Sequence, residues 1–383
     1  MALKLYYEDA YIKEFEAEVL SCKKGEKGFE IILDKTAFFP EGGGQPGDRG
    51  YIGDAEVKDT VEKDGEVVHI CSGEAGGKVN CRLNWDFRFS NMQQHSGEHI
   101  FSGITHSKTG LDNVGFHMGQ REVTVDFNGY ISPETLDEIE DETNRVICEN
   151  RKTNILLPSP AELEKYDYRS KKEIEGQVRL VEIEGADLCA CCGTHVKLTG
   201  ETGPVKLINA ENYKQGVRLT LKIGRFALED YREKNRSVAG ISAALCAKTD
   251  EVLPAVEKLN EKLNETRIEL NNTKIRLIET RCESAGADFP AVIDGDGDSD
   301  SARIAADMLA EKFGTGFGFS GNDKDGYKYA VASRSGKARE IGAAINAALN
   351  GRGGGKPEMV MGSLKASKEE IEKTVKNILQ NGQ

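Results

Sequence analysis

The stretch QQHSGEHIFS (residues 93–102) places two histidines four positions apart in a segment with helical periodicity. Ser90 followed by Gln93 predicts the N-terminal cap of that helix. Residues four apart on a helix lie on the same face, with Cβ atoms about 5–6 Å apart. His95 and His99 can therefore direct both imidazoles at one metal ion.

A second cluster, CACCGTHVKL (189–198), follows about ninety residues later and holds three cysteines and a histidine within seven positions. Cys191 and His195 repeat the four-residue spacing. Together, the two pairs offer three nitrogens and one sulfur, a tetrahedral set that suits zinc. We therefore predict one zinc ion per chain, and the thiols of Cys189 and Cys192 are alternative ligands.

The segment HSGEH (95–99) also matches the H-x-x-E-H pattern of a class of zinc proteases, with Glu98 as the general base. Cys191 and His195 argue against a protease, because they would close a coordination sphere that a catalytic zinc usually leaves open for water. Glu98 is interpreted as a solvated helix residue. The alternative is that it hydrogen-bonds a metal-binding side chain without binding the metal itself.

The composition is that of a folded intracellular protein: 38% of the 383 residues are hydrophobic and 30% are charged. An odd number of cysteines, nine, argues against a disulfide framework and for reduced thiols. No apolar run approaches the length of a membrane-spanning helix. The N-terminus is acidic and lacks an apolar signal core, so we expect a cytoplasmic protein without membrane contact.

The net charge of −13 argues against nucleic-acid binding, but charge is distributed unevenly along the chain. Residues 301–383 carry 13 basic and 9 acidic side chains. Phosphate binding requires local basic surface rather than a basic total. The composition therefore neither supports nor excludes a nucleic-acid partner.

Hydrophobic periodicity predicts an α+β protein with four segments. Residues 1–85 read as short strands of a small β-barrel or sandwich, with a hairpin turn at Asp64-Gly65. Residues 86–230 mix helices and strands, and Ser132 is expected to cap a helix that has Pro133 in its first position. Residues 231–285 form a helical linker, and residues 286–383 form an α/β domain.

The linker carries a heptad seam, which predicts either a spacer arm or a dimerising coiled coil. The seam residues are Val252, Val256, Leu259, Leu263, Thr266, Leu270, Thr273 and Leu277. Two further motifs are discounted. DGDGDSDS (294–301) has Ser299 where a calcium loop requires glycine, and GRGGGKPE (351–358) has Pro357 where a phosphate loop requires serine or threonine.

Three motifs occur in the order and separation of a known family: TAFFPEGGGQPGDRG (36–50), HSGEH (95–99) and CCGTHVKLTGETG (191–203). They strongly resemble the editing domain of alanyl-tRNA synthetase and its free-standing relatives, the AlaX proteins. GRGGGKPEMVMGS (351–363) resembles the C-terminal domain of the synthetase, so the whole chain resembles the long AlaX class. Cys192 departs from the pattern, which has glycine at that position.

The resemblance implies deacylation in trans of tRNA(Ala) mischarged with serine, or with glycine, in a zinc-dependent reaction without aminoacylation. The implied site residues fall into three groups. The catalytic group is Thr36, Gly43, Gly44 and Gln45; the substrate-binding group is Gly42, Pro46, Asp48, Phe116 and His117; and the metal ligands are His95, His99, Cys191 and His195.

The chemistry of this reaction is consistent with the residue types. An aminoacyl ester is already activated, so the site must position water and stabilise a developing oxyanion. Three consecutive glycines allow the backbone of residues 42–44 to approach a substrate closely. A tRNA-binding module with a purely structural zinc is the alternative function, and a zinc peptidase is a more distant one. A homodimer through the linker or the C-terminal domain is also expected.

Overall fold

The computed structural model describes residues 2–170, 176–295 and 297–381, the side chain of residue 381 excepted. It divides into two compact units, residues 1–240 and 241–383. Helices and strands are mixed in both units, which confirms the predicted α+β class. The finer division into four segments remains a prediction.

The first unit contains fifteen described strands and four complete helices, and a fifth helix starts in it and ends beyond residue 240. The strands are β1 (Leu3–Lys4), β2 (Glu14–Gly25), β3 (Gly28–Leu33), β4 (Lys35–Thr36), β5 (Gly50–Ile52), β6 (Ala55–Lys63), β7 (Glu66–Cys71), β8 (Lys78–Leu83), β9 (Asn113–Met118), β10 (Val123–Phe127), β11 (Thr153–Leu156), β12 (Leu180–Ile183), β13 (Asp187–Ala190), β14 (Val205–Tyr213) and β15 (Gly216–Ile223). The helices are α1 (Leu5–Glu8), α2 (Trp85–Thr109), α3 (Pro133–Cys148), α4 (Pro160–Leu163) and α5 (Arg225–Leu245).

Six N-terminal strands pair in a closed ring, in the order β2-β3-β7-β6-β5-β8, and form a barrel. Alternate residues point inward and fill it with apolar side chains that include Ile31, Leu33 and Phe38. The predicted hairpin at Asp64-Gly65 is confirmed: it joins β6 to β7, and both residues have positive φ, at 51° and 79°. That combination is the type I′ turn expected of a two-residue hairpin.

After the barrel, helix α2 packs with α3 against an antiparallel sheet of order β14-β15-β10-β9. The predicted start of α2 at Ser90 is wrong. The helix begins at Trp85, because the side chain of Asn84 accepts a hydrogen bond from the Phe87 N–H at 3.2 Å and caps it. The prediction for α3 is confirmed, since the Ser132 hydroxyl accepts from the Thr135 N–H at 3.2 Å.

Strands β11, β12 and β13 form a separate small antiparallel sheet. Strand β13 ends at Ala190, one residue before Cys191, so this sheet delivers the CCGTH segment to its place in the fold.

The second unit contains helices α6 (Val252–Glu283), α7 (Ser299–Phe313), α8 (Ala338–Ala348) and α9 (Lys368–Asn381). Its strands are β16 (Ala291–Asp294), β17 (Thr315–Asn322), β18 (Gly326–Ser333), β19 (Arg352–Gly355) and β20 (Met359–Leu364). They form one sheet of order β16-β17-β18-β20-β19, and only the β16–β17 pair is parallel. The expected sequence of strand, helix, strand, strand and helix is confirmed over residues 291–348.

The predicted heptad seam lies on α6, and its leucines are exposed: Leu259 by 53%, Leu263 by 46%, and Leu270 by 56%. A spacer arm and a dimerising helix both leave this stripe uncovered in a single chain, so both remain predictions. Within the described residues, no helix is sufficiently long and apolar to traverse a lipid bilayer.

Candidate metal centre and its neighbouring glycine loop

Helix α2 carries His95 and His99 on one face, one turn apart, with ring centroids separated by 5.2 Å. Both side chains are buried. The helix lies close to β15 because Gly97 has no side chain: a Cβ there would come within 2.7 Å of Ile223. The apolar core thus fixes the face from which the two imidazoles project.

The loop after β13 brings Cys191 and His195 to the same place. The four predicted ligand atoms lie within 4.8 Å of one another. The Cys191 Sγ is 3.3 Å from the His95 Nε2 and 3.5 Å from the His195 Nε2. Tetrahedral zinc with normal bond lengths would place nitrogen and sulfur about 3.6 Å apart. The residues therefore fit a four-coordinate metal ion.

Each of the three histidines is anchored through its other ring nitrogen, Nδ1. The partners are the Gln45 Oε1 for His95 at 3.0 Å, the Asp187 Oδ2 for His99 at 2.9 Å, and the Ser96 Oγ for His195 at 3.1 Å. A histidine held through Nδ1 presents Nε2 to the metal in a fixed orientation. Three separate contacts thus aim three Nε2 atoms at one point.

The thiol of Cys191 is disposed to ionise. Burial opposes the charged form, but the charges of His95 and His99 and a hydrogen bond from His195 hold the pKa of this thiol well below its ordinary value. The thiolate is the form that binds metals. Partial desolvation by the surrounding protein raises the pKa of the neighbouring Cys192 thiol although the residue is exposed at the surface, and the charge of Cys191 adds to this effect. The electrostatics therefore favour Cys191 as the ligand.

Asp187, which the sequence analysis missed, connects His99 to a cation. Its second oxygen accepts from the Arg169 Nε at 2.8 Å, and its side chain is only 1% exposed. Burial opposes its ionisation, yet the hydrogen bond from His99 and the charge of Arg169 lower the pKa of this carboxyl. Asp187 is thus a charged group that orients His99. Its position two residues before Cys189 is the only hint in the sequence.

Replacing Asp187 with asparagine should weaken metal affinity about 10- to 100-fold, because the His99 Nδ1–H loses a charged acceptor. Competition with a metal-binding dye measures the affinity. Asp126→Asn is the matched control, since Asp126 also pairs with an arginine, Arg218, at 2.7 Å but touches no ligand. Equal metal affinity in the two variants would contradict the orienting role of Asp187.

The glycine loop forms a tight turn beside the metal centre. Gly42 and Gln45 exchange backbone hydrogen bonds, each 3.0 Å long. Gly43 and Gly44, between them, have φ values of 59° and 84°, in the left-handed region that favours glycine. A Cβ at Gly44 would lie 2.4 Å from the ring of Phe116, so the turn and strand β9 are in close contact. No described residue accepts the N–H of Gly43 or Gly44.

Gln45 is buried and does not face the solvent. It binds the loop after β13 that carries Cys191 and His195, which is called the metal loop (residues 191–195). Its Oε1 accepts from the Thr194 N–H at 3.0 Å, and its Nε2 donates to the Thr194 Oγ1 at 2.8 Å. With the bond to His95, these contacts tie the barrel to both halves of the metal centre. Gln45 therefore fixes His95 and Thr194 relative to each other, and its catalytic role stays a prediction.

Thr36, buried on β4, contacts His69 of barrel strand β7 and has a defined hydrogen-bonding state. The His69 Nδ1 is 2.9 Å from the carbonyl oxygen of Ile31, which can only accept, so Nδ1 carries the proton. Thr36 then donates to the His69 Nε2 at 2.9 Å and accepts from the Phe38 N–H at 3.1 Å. One lone pair of the Thr36 hydroxyl remains for a substrate donor.

Burial lowers the pKa of His69 to about 4, whereas an unfolded histidine has its ordinary value near 6.5. Between these values the unfolded chain binds more protons, so stability falls as pH falls from about 6.5 to 4, by about 3 kcal/mol for this residue. We expect His69→Gln to flatten that dependence. Urea unfolding followed through Trp85, the only tryptophan, measures it. The exposed His117→Gln is the control and should retain the wild-type slope.

Asp48 and His117 lie differently from what a substrate-binding role suggests. Asp48 is fully buried and pairs with Arg88, and its contact with substrate stays a prediction. His117 is exposed on β9, and Phe116 precedes it on the strand and lies 5.3 Å from the ring of His95. Because consecutive strand residues point to opposite faces, Phe116 lines the metal centre and His117 does not.

Glu98 is buried, not solvated, which corrects the prediction. The Ser102 hydroxyl and the Asn113 amide donate to its Oε1 at 2.6 and 2.5 Å. These contacts occupy one oxygen, Oε1, of the carboxylate that a peptidase would use as a base. Gly42 and Pro46 lie in the turn and its exit, half-buried.

Three domain families match parts of the chain. They are the tRNA synthetases class II (A) over residues 5–87, the threonyl and alanyl tRNA synthetase second additional domain over residues 178–220, and the DHHA1 domain over residues 289–381. The second match covers the segment that supplies Cys191 and His195.

Similarity to one group of proteins extends along nearly the whole chain. The alanyl-tRNA editing protein AlaX-L of Pyrococcus horikoshii is 28% identical, over 97% of this chain and 96% of the relative. The chain is thus similar to an alanyl-tRNA editing protein along nearly its whole length, in agreement with the resemblance that the three motifs predict. A second such protein, alanyl-tRNA editing protein Aarsd1 of Danio rerio, is 27% identical over 91% of this chain and 90% of its own length.

The chain is also similar to a synthetase. The alanine–tRNA ligase of Pyrococcus abyssi is 31% identical over 97% of this chain, which spans 43% of that ligase. This chain thus matches less than half of the ligase.

Proposed function

We propose that this chain is a zinc-dependent hydrolase that deacylates tRNA(Ala) mischarged with serine, and secondarily with glycine, in trans and without aminoacylating tRNA. One observation supports it most strongly. A buried set of three imidazoles and one thiolate lies beside a glycine turn with two free N–H groups, in a chain similar to editing proteins along its length.

Zinc is the proposed metal because three nitrogens and one thiolate are its usual tetrahedral ligands. When bound, zinc holds the four side chains together and supplies positive charge near the ester. Four protein donors fill its coordination sphere. Water must therefore be positioned by the protein, and a closed sphere also fits a zinc that only stabilises a tRNA-binding site.

The glycine turn is the proposed oxyanion site. Gly43 and Gly44 are exposed residues, and their N–H groups lack acceptors among the described residues, so they can donate to the ester oxygen as charge develops on it. Phe116 supports the turn from one side, and Gln45 anchors its other end to His95. The backbone donors are thus fixed relative to the metal centre.

The proposal is tested by incubating the full chain with seryl-, glycyl- and alanyl-tRNA(Ala) in parallel. We expect the fastest loss of serine, slower loss of glycine and little loss of alanine. The protein should not charge tRNA(Ala) when given alanine and ATP. Binding of all three tRNAs without turnover would instead support the tRNA-binding module with a structural zinc.

Thr36 is the proposed reader of the serine hydroxyl, through its remaining lone pair. A pocket that admits serine and rejects the smaller alanine must do so by hydrogen bonding, because size alone would admit both. Thr36→Val should lower the seryl-to-alanyl rate ratio at least about tenfold. Thr60→Val is the matched control, since Thr60 on barrel strand β6 is likewise a buried threonine and donates to the Asp48 carbonyl at 2.9 Å. An unchanged ratio in Thr36→Val would assign the recognition to another group.

A further inference from the structure

Arg179 is the residue immediately before β12. Its guanidinium is hydrogen-bonded to the backbone of the metal loop. Its Nη1 donates to the carbonyl oxygens of Cys191 at 2.7 Å and Gly193 at 3.1 Å. These carbonyls belong to a ligand and to the residue two positions beyond it. The guanidinium is therefore held beside the metal centre with little freedom.

The other donors of Arg179 have no acceptor among the described residues. Its Nε is buried and unpaired there, and no described residue accepts from its Nη2. Nor does any described carboxylate form an ion pair with it. A buried donor on a charged group without an acceptor is costly, so such a group calls for a physical explanation. An anion with oxygen acceptors supplies one, because a guanidinium fork matches phosphate geometry.

An aromatic ring lies next to these donors. The ring of Tyr7 is 41% exposed, and the guanidinium carbon of Arg179 is 5.4 Å from its centroid. Tyr6 is buried, and its ring packs edge-on against those of Tyr7 and Phe39, with ring centroids 4.6 and 5.4 Å apart. Tyr7 is thus a supported, accessible ring beside a cation, the combination with which proteins stack bases of single-stranded nucleic acids.

We propose that Arg179 and Tyr7 form the subsite for the terminal nucleotide of the charged tRNA, with the guanidinium binding its 5′-phosphate and the Tyr7 ring stacking on its adenine. This inference rests on the proposed function. The amino acid is esterified to the ribose of that nucleotide, so its 5′-phosphate is the negative charge nearest to the ester. A cation anchored to the metal loop is suitably placed to bind it.

The chain's overall charge strengthens the argument. With a net charge of −13, the protein as a whole repels a polyanion, so the tRNA end needs a local cation at the metal centre. Glu62, an acidic neighbour, is neutralised by Lys4 at 3.0 Å. Arg179, by contrast, has no such partner among the described residues.

The barrel offers a matched control pair. The guanidinium carbon of Arg82 lies 5.4 Å from the ring centroid of Tyr51, the same distance as in the Arg179–Tyr7 pair. Tyr51 is 42% exposed. This pair has the geometry of Arg179 and Tyr7 but no contact with the metal loop. Arg82→Met and Tyr51→Ala therefore test whether any exposed arginine–tyrosine pair would produce the effect.

The experiment measures direct binding of adenosine 5′-monophosphate and of adenosine to the zinc-loaded full chain by calorimetry, with zinc content determined for each variant. Wild type should bind the monophosphate about 10- to 100-fold more tightly than adenosine, as expected for a charged bidentate contact. Arg179→Met should abolish this preference. Tyr7→Ala should weaken both ligands equally, and the two control variants should behave as wild type.

The kinetics provide an independent readout. With seryl-tRNA(Ala), Arg179→Met should raise KM about tenfold or more and change kcat much less. If Arg179→Met loses zinc, the same binding and kinetic measurements are made with Arg179→Lys and Tyr7→Ala. Neither of these variants removes positive charge from the metal loop. Equal affinity of the wild type for adenosine and its monophosphate would overturn the subsite, whatever the rate of deacylation. A preference for the monophosphate without any deacylation would instead refute the proposed hydrolase and leave the subsite standing.

Discussion

Replacing Cys191 with alanine should reduce the zinc content of the purified protein from about one equivalent to a small fraction and lower deacylation more than about 100-fold. Removing the only sulfur leaves three imidazoles, and metal binding that organises a site contributes a large share of its stability. The loop that follows β13 would then lose its metal-mediated link to helix α2 and keep only the hydrogen bonds of His195 and Val196 to Ser96. Metal analysis after dialysis, together with the seryl-tRNA assay, measures both effects.

Cys192→Ala is the matched control for this experiment. Cys192 is the adjacent residue, its side chain is exposed, and it lies outside the four-donor group. We expect this variant to retain its zinc and most of its activity. If Cys192→Ala lost the metal and Cys191→Ala kept it, the ligand would be the other thiol.

Replacing Arg88 with methionine should lower the free energy of unfolding of the first unit by about 3–5 kcal/mol, because it leaves a buried carboxylate without its cation. Both side chains of the Arg88–Asp48 pair are 1% exposed. Arg88 also donates to the carbonyl oxygens of Ala10 at 2.8 Å and Ala37. Asp48, in turn, accepts from the Phe39 N–H at 2.7 Å. The pair thus fixes helix α2 to the strand that leads into the glycine turn.

Arg145→Met is the control, since the Arg145 side chain is 55% exposed and its pairs with Glu142 and Glu149 lie at the surface. Exposed pairs contribute about 0–1 kcal/mol. Unfolding in guanidinium, followed through Trp85 at the start of α2, compares the two variants. Adding Asp48→Asn to Arg88→Met should restore part of the loss, because it removes the uncompensated charge. Equal losses from Arg88→Met and Arg145→Met would disprove the structural role.

The metal ligands could be predicted from the sequence because each pair is local. His95 and His99 are neighbours on one helix, and Cys191 and His195 lie within a single loop. Their partners could not be predicted in this way. Asp187 reaches His99 from another sheet, and Gln45 reaches His95 from the barrel. Such contacts depend on packing between elements, which no short pattern encodes.

The errors have a common cause: polar residues were assigned local or exposed roles. Ser90 has the sequence of a helix cap, but Asn84 caps the helix first, and Ser90 donates to the Asp86 carbonyl instead. Glu98 and Asp48 have charged side chains that usually face water, yet both are buried. Donors that are distant in sequence, Asn113 and Arg88, bind one oxygen of each carboxylate.

The sequence by itself determined the local features: the helix that pairs two histidines, the type I′ turn at Asp64-Gly65, the capped start of α3, and a glycine turn that permits positive φ. These follow from backbone sterics and from the periods of helix and strand, which act over a few residues. Only the tertiary structure closed the barrel, joined the two histidine segments and buried the Arg88–Asp48 pair. Those features require apolar cores to bring distant segments together and to exclude water, which gives the long-range polar contacts their strength.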